Sequence, residues 1–377
     1  MMRLLSHYVL ALLLQIPLVA FADKPASMPD LLDLPAVASA RSLDGLMLDV
    51  TRAGKRLVAV GAYGSILFSD DSGANWQQAI VPVQVTLTSV SFPSPEQGWA
   101  VGHDAVILHS SDGGESWEKQ LDGRQTGAMS LVAAREKMAQ LEAQVDPDMM
   151  EMDAADMALS EAEREQAVGP SRPFLDVWFR DENYGIAVGA FNYFFVTEDG
   201  GRSWQDRSLS LPNPDTLHLY SIHVIATDTL LMAGEFGLVL RSTDGGDSWQ
   251  ALDLGYEGTL FAVSGMNGHA WVAGLRGNAF YSADAGDSWR HLDLGTQATM
   301  LAVCSLSEDE AVFGGLGGTI VRVRQAGADV ATVGKPGGAH LSSILTQPNS
   351  MVLAGAAGLR RQSLDGEKQT VIYQGGR

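Results

Sequence analysis

One eight-residue phrase, [Ser/Thr]-x-Asp-x-Gly-x-x-Trp, occurs five times and restricts the folds open to this chain more than any other feature. It reads SDDSGANW from Ser69, SSDGGESW from Ser110, TEDGGRSW from Thr197, STDGGDSW from Ser242 and SADAGDSW from Ser282. Each copy follows a short apolar stretch such as GSILF, AVILH, YFFV, LVLR or NAFY. A second marker, a glycine closing a strand-like run, stands ahead of each box at Gly61, Gly102, Gly189, Gly234 and Gly274, and continues at Gly315 and Gly355. Successive intervals are 41, 87, 45, 40, 41 and 40 residues, so there are seven units and one insertion of 46 residues. The last two boxes have decayed. Val323, Gln325 and Val330 replace Ser, Asp and Trp in the sixth; Glu367 and Thr370 replace Gly and Trp in the seventh, where Ser363 and Asp365 remain.

A period near forty with several short strands per unit is the signature of a four-stranded propeller blade. In the second unit LTSVSF is the inner strand, GWAVG the next, AVILHS the third, and the outer strand follows Trp117. Val, Ile, Leu and aromatics on both strand faces suit a sheet buried between two neighbours. The expected fold is therefore all-β, a seven-bladed β-propeller over residues 45–377 with a helical-hairpin insertion between blades 2 and 3. The length would also allow two domains, but radial closure of seven units leaves one.

The box reads as a turn device. Asp71, Asp112, Asp199, Asp244 and Asp284 are expected to bond turn backbone, and Trp76, Trp117, Trp204, Trp249 and Trp289 to be buried at blade peripheries. A calcium or substrate site would not need five copies, so no metal or cofactor is expected.

The insertion spans 122–170. Leu131, Ala134, Met138, Leu141 and Val145 follow helical spacing, Asp146-Pro147-Asp148 breaks it, and Met152, Ala155, Leu159 and Ala162 resume it. This hairpin carries eleven acids against four bases, and six of the chain's 14 methionines, among them Met138, Met149, Met152 and Met157. Flexible thioethers suit an adaptable protein-binding surface; Cu(I) binding and a purely decorative hairpin are the alternatives. The propeller is expected to close without the hairpin, since it interrupts a link that other blades make in a few residues.

Strand direction puts the hairpin on the face that carries the turns after the marker glycines. Those turns hold Tyr63, His103, Asp104, Phe191, Asn192, Glu235, Phe236 and Arg276, a candidate partner-binding surface. His103-Asp104 has no matching Ser, Cys or second His nearby in the repeat and reads as a solvated pair. Cys304, the only cysteine, lies in the inner-strand run LAVCSL and reads as a small buried hydrophobe.

Arg3, an apolar run from Tyr8 to Ala20 and Ala20-Phe21-Ala22 read as a signal peptide over 1–22, with an extension over 23–44 before the propeller. A soluble periplasmic protein is expected. Without the signal the chain has 24 basic and 45 acidic residues. That sign repels phosphate backbones and anionic lipid headgroups, so nucleic acid is not an expected partner, and membrane association is peripheral at most.

The box, the period and phrases such as WAVGHDAVILHSSDGGESW resemble the BNR/Asp-box repeats, and within them the Ycf48/Hcf136 family, named for photosystem II assembly factors. The resemblance runs from Leu46 to about Tyr373, the insertion excepted. It implies a non-catalytic propeller that holds a membrane protein, or its periplasmic domain, while a complex is built; non-photosynthetic relatives include accessories to RND-type transporters. The acidic balance and the insertion depart from the photosynthetic pattern. A sialidase-like, glycan-active propeller is the rival. The first blade offers only Arg52 and Arg56, neither in an Arg-Ile-Pro type motif, and Ser171-Arg172-Pro173 falls in the wrong unit. No carboxylate pair stands out for glycoside hydrolysis.

Overall fold

A computed structural model describes residues 29–334, 337–364 and 366–374; the expected signal peptide and Asp365 lie outside them. From Leu31 onward the chain forms one compact unit of seven antiparallel meander sheets. Blade 2 is typical, with strands Leu87–Ser91, Gly98–Gly102, Ile107–Ser110 and Glu118–Leu121 in that order from the centre outward. The first strands of consecutive blades touch in an unbroken ring, closed where Leu341–Gln347 meets Met47–Ala53.

The core lies between blades rather than inside one. Val58, Val60, Ile66 and Phe68 of blade 1 pack with Val90, Ala100, Leu108 and Trp117 of blade 2. The alternate residues of the same strand, Leu57 and Ala59, pack instead with Val352 and Ala354 of blade 7. A strand with period-two side chains and two apolar neighbours needs hydrophobic residues at every position, which is why the runs read as continuous.

The ring closes by a device that the repeat pattern did not reveal. Ile372–Tyr373 pairs in parallel with Asn75–Gln78, the outer strand of blade 1, as Ile372 N–H donates to Ala74 O and Gln374 N–H to Trp76 O (each 2.8 Å). The two-residue strand is too short to carry a periodic signal.

All seven marker glycines have one cause. A Cβ on Gly61 would lie 2.2 Å from Leu46 O, on Gly102 2.2 Å from Thr86 O, and on Gly274 2.1 Å from Thr259 O. The neighbouring chain passes too close for any side chain there.

The five intact boxes repeat one hydrogen-bond set. In blade 2, Ser110 Oγ accepts from Gly114 N–H at 2.9 Å, Asp112 Oδ1 accepts from Ser116 N–H at 3.0 Å, and Trp117 Nε1 donates to Gly114 O at 3.1 Å. The tip is tied down as Gly113 N–H donates to Glu96 O of the same blade at 2.9 Å. Two tryptophans depart from the expected burial: Trp249 and Trp289 are half-buried, while Trp76, Trp117 and Trp204 are buried. Trp204 differs too, because its indole N–H has no partner among the described residues.

Two helices occupy the insertion, α1 (Gly123–Glu142) and α2 (Met149–Val168). Asp122 caps α1 through a capping box with Gln125, and Asp148 caps α2 by accepting from Met150 N–H at 2.7 Å. Val145, expected on the first apolar stripe, lies beyond the end of α1 and is fully exposed.

Candidate functional site

The turns after the first six marker glycines share one backbone. In blade 1, Ser65 N–H donates to Ala62 O at 3.1 Å across Tyr63 and Gly64, both left-handed (φ 57° and 67°). Two consecutive left-handed residues define a type I′ turn, which favours Asn, Asp and Gly at its centre. The first central position here holds Tyr63, Asp104, Phe191, Phe236, Arg276 and Gly317, all at positive φ. For a bulky L-residue that conformation costs roughly 1–2 kcal/mol. Only blade 6 avoids the cost with glycine. Blades 1, 3 and 4 instead keep aromatic rings in solvent, with Tyr63 79 %, Phe191 51 % and Phe236 71 % exposed.

The remaining turn residues divide. His103 and Arg276 are exposed, and Asp104 is half-buried. Glu235 is half-buried and accepts from His218 N–H at 2.9 Å. Asn192, expected on the binding surface, is 4 % exposed and serves as a brace. Its Nδ2 donates to Ser208 O at 2.9 Å and its Oδ1 accepts from Asn213 at 2.8 Å, fixing the segment 207–217. From Phe191 an aromatic row runs inward: His218 at 4.6 Å, then Tyr220 at 6.1 Å and Phe261 at 4.9 Å between successive ring centroids. His218, Tyr220 and Phe261 were not singled out in the sequence, because they lie outside the box and turn that carry the repeat.

The hairpin shares this face, with α1 against the His103–Ala105 turn. A Cβ on Gly123 would meet Asp104 O and Pro170 at 2.8 Å, so the two ends of the insertion are pinched together over the turn. The hairpin also makes polar contacts with blade 3. Tyr193 is buried, and its hydroxyl bonds Glu165 of α2. Ser130 Oγ of α1 donates to Asp206 at 2.6 Å. Arg172 pairs with Glu161 and with Glu165 (3.2 Å), and its guanidinium lies 5.1 Å from the Phe191 ring. Burial pushes the Glu165 pKa up to about 7, against the pull of Arg172. Removing the hairpin would strip these partners from Tyr193 and Arg172. Of the methionines, Met149 and Met157 are exposed, and Met138 and Met152 are half-buried along the helices.

Between α2 and the segment 207–217 lies an open cleft of about 760 Å³, with Phe191, Tyr193 and Arg172 at its base. Its volume is within the range of small-ligand and peptide-side-chain sites, ~300–1,000 Å³. The sequence signal available for it was the pair Glu161 and Glu165, one helical turn apart and shortly before Arg172.

A second polar cluster lies on the inner strands. Asp49 accepts from Val50 N–H, Val90 N–H and the Ser343 hydroxyl; Asp176 accepts from Val177 N–H, Ile222 N–H and the single proton of Ser89 Oγ, which lies 2.6 Å from it and 3.2 Å from Asp49. Each carboxylate thereby ties its own blade to the next. Burial pushes the Asp176 pKa up to about 6, opposed by the Ser89 hydrogen bond. Nearly every lone pair of the two groups is spent on holding blades together, so neither is placed to serve as acid or nucleophile. Cys304 is half-buried on its inner strand, with Sγ 3.4 Å from Thr346 Oγ1. Among the described residues no group of three or more His, Cys, Asp or Glu is arranged to hold a metal ion.

Comparison with known proteins identifies relatives on both sequence and fold. A family model described as photosynthesis system II assembly factor YCF48 matches residues 35–147 and 155–260, more than half of the chain. The photosystem II assembly lipoprotein Ycf48 of Synechococcus sp. (strain CC9902) is 42 % identical over 80 residues, 21 % of this chain and 24 % of that one. The photosystem II stability/assembly factor HCF136 of Arabidopsis thaliana is 29 % identical over 84 residues, 20 % of this chain and 21 % of that one. The chain thus spans about a quarter of the length of these curated relatives. Among solved structures, YCF48 bound to D1 peptide matches with a TM-score of 0.59 at 15 % identity, over 86 % of this chain and 97 % of that one. A GH74 enzyme of Niastella koreensis matches with a TM-score of 0.58 at 11 % identity, over 90 % and 55 %. At such identities the structural matches establish the propeller fold alone.

Proposed function

Because the chain belongs to the family of the photosystem II assembly factor Ycf48, we propose that it is a non-catalytic assembly factor whose turn face holds an exported segment of a membrane protein. The observation that carries this reading is the row of type I′ turns. Tyr63, Phe191, Phe236 and Arg276 occupy left-handed positions that glycine would fill at lower cost, and all four side chains are exposed. Strain retained at the same position in successive blades, with a different side chain each time, is explained by contacts the side chains make to something outside the chain. A relative solved with a D1 peptide is a precedent for a peptide segment as the occupant. The expected signal peptide supports a periplasmic address. The acidic balance separates this chain from the photosynthetic pattern, so we take the assembled complex to be a different one, with an RND-type transporter as the first candidate.

The test is recovery of partners from native membranes by cross-linking and mass spectrometry, comparing the natural chain with a Tyr63→Gly, Phe236→Gly double variant. We expect a membrane protein to be recovered with the natural chain and its yield to fall about tenfold in the variant, as loss of two aromatic anchors implies. Equal recovery by both chains would remove the turn face from the function. The same experiment identifies the complex.

A further inference from the structure

The cleft beside α2 differs in character from the turns. One wall is made of small and flexible residues, Ala154, Met157 and Ala158, and the other of Leu209, Pro212 and Pro214. Met157 and Leu209 remain exposed there, so the walls are apolar and uncovered. The surrounding charge is mainly acidic. All four bases of the hairpin are engaged: Arg124 with Asp33 and Asp122, Arg135 with Glu163, Lys137 with Glu151, and Arg164 with Glu161. Glu151, Glu161, Glu165 and Asp206 line the cleft against three bases, Lys137, Arg164 and Arg172. Asp215 adds a further carboxylate on the opposite rim. At the base, the side chain of Glu165 is 5 % exposed and its Oε2 accepts no hydrogen bond, although Arg172 Nη1 is 3.2 Å away.

We propose that this cleft seats a Lys/Arg-rich amphipathic segment of the protein held by the propeller. Its apolar side chains lie on Met157, Leu209 and Pro212, and its basic side chains meet Glu151 and Asp215, which line the cleft. The proposal rests on the reading of the turn face as a partner-binding face and specifies the chemistry of that partner. Complementary charge sets which segments approach and in which orientation, while the apolar walls supply contact area. An anionic segment is disfavoured, because each cation near the cleft is already neutralised from within the chain.

The full chain and two synthetic peptides test it, one a Leu/Lys sequence patterned as an amphipathic helix and the other its Leu/Glu counterpart. Fluorescence anisotropy should show saturable binding of the Leu/Lys peptide, weakening as salt rises, and at least about tenfold weaker binding of the Leu/Glu peptide. Glu151→Lys with Asp215→Lys should weaken the basic peptide about tenfold. Ala158→Trp, which fills the cleft from a half-buried helix position, should do the same without changing the Tm. Equal affinity for both peptides overturns the proposal, and so does undiminished binding by Ala158→Trp. Self-association that Ala158→Trp abolishes would assign the cleft to a second copy of the chain and overturn it as well. If the basic peptide fails while membrane-protein recovery still depends on Phe236, the cleft proposal falls and the assembly reading stands. If the peptide binds and no membrane protein is recovered, the assembly reading fails by itself.

Discussion

The two ends of each blade obey opposite rules. At the box end, five copies keep the same side chains and the same hydrogen bonds: Ser or Thr to Gly N–H, Asp to a backbone N–H four residues on, and Trp buried or half-buried behind the turn. At the marker-glycine end, six copies keep the same left-handed backbone and change the side chain each time, from Tyr63 to Asp104, Phe191, Phe236, Arg276 and Gly317. Repeated side chains on a repeated backbone satisfy the turn from within. Variable side chains on a strained, repeated backbone do not close the turn itself, and Tyr63, Phe191 and Phe236 stay exposed. Recurrence of side chains therefore marks the end of the propeller that closes its own turns, and variation of side chains marks the end on which the proposed binding rests.

If that division is right, the largest effect of substitution belongs to the box end. Trp117→Ala should cost about 3–5 kcal/mol of stability in denaturant unfolding, since its indole is 4 % exposed and packs across the blade 1–blade 2 interface. A loss below about 1 kcal/mol would mean that the box does not hold the blades together.

The box carboxylates should matter less, and in a defined pH window. Hydrogen bonds from the Ser248 and Ser288 side chains hold Asp244 and Asp284 at about 2, below the ordinary 3.8. A carboxylate depressed by folding contributes stability that is complete above 3.8 and is lost as pH falls toward 2. The Tm should accordingly drop between about pH 4 and pH 2, and Asp244→Asn with Asp284→Asn should flatten that part of the profile. An unchanged slope would show that the acid sensitivity resides elsewhere.

At the turn end the sign reverses. Phe236→Gly should raise stability by about 0.5–1 kcal/mol, because relief of the left-handed strain slightly exceeds the entropy that glycine adds to the unfolded chain. Phe236 is 71 % exposed, so little packing is lost. Destabilisation of more than about 1 kcal/mol would make the ring a structural element and erase the contrast between the two ends.

How much of this was legible from residues alone follows from range. The seven units, the hairpin between blades 2 and 3 and the face it shares with the marker-glycine turns came from spacings of a few residues, repeated often enough to exceed chance. The candidate surface was legible only in part. Tyr63, Phe191 and Phe236 are exposed, whereas Asn192 is turned inward by two hydrogen bonds whose partners, Ser208 and Asn213, lie in an irregular segment with no counterpart in other blades. The contact of blade 3 with the hairpin was hidden for the same reason, since it rests on Glu165, Arg172 and Tyr193 meeting across three separate elements.

The sequence by itself determined the architecture, because a blade is a local object: four short strands, a glycine where a neighbouring chain leaves no room for Cβ, and a box that closes its own turn. Tertiary structure alone decided how the ring is closed, by Ile372–Tyr373 on the outer strand of blade 1, and where the cleft opens. Both depend on residues brought together from distant parts of the chain. Their meeting leaves no period in the sequence, because it is set by radial packing of whole sheets rather than by the conformation of any one stretch.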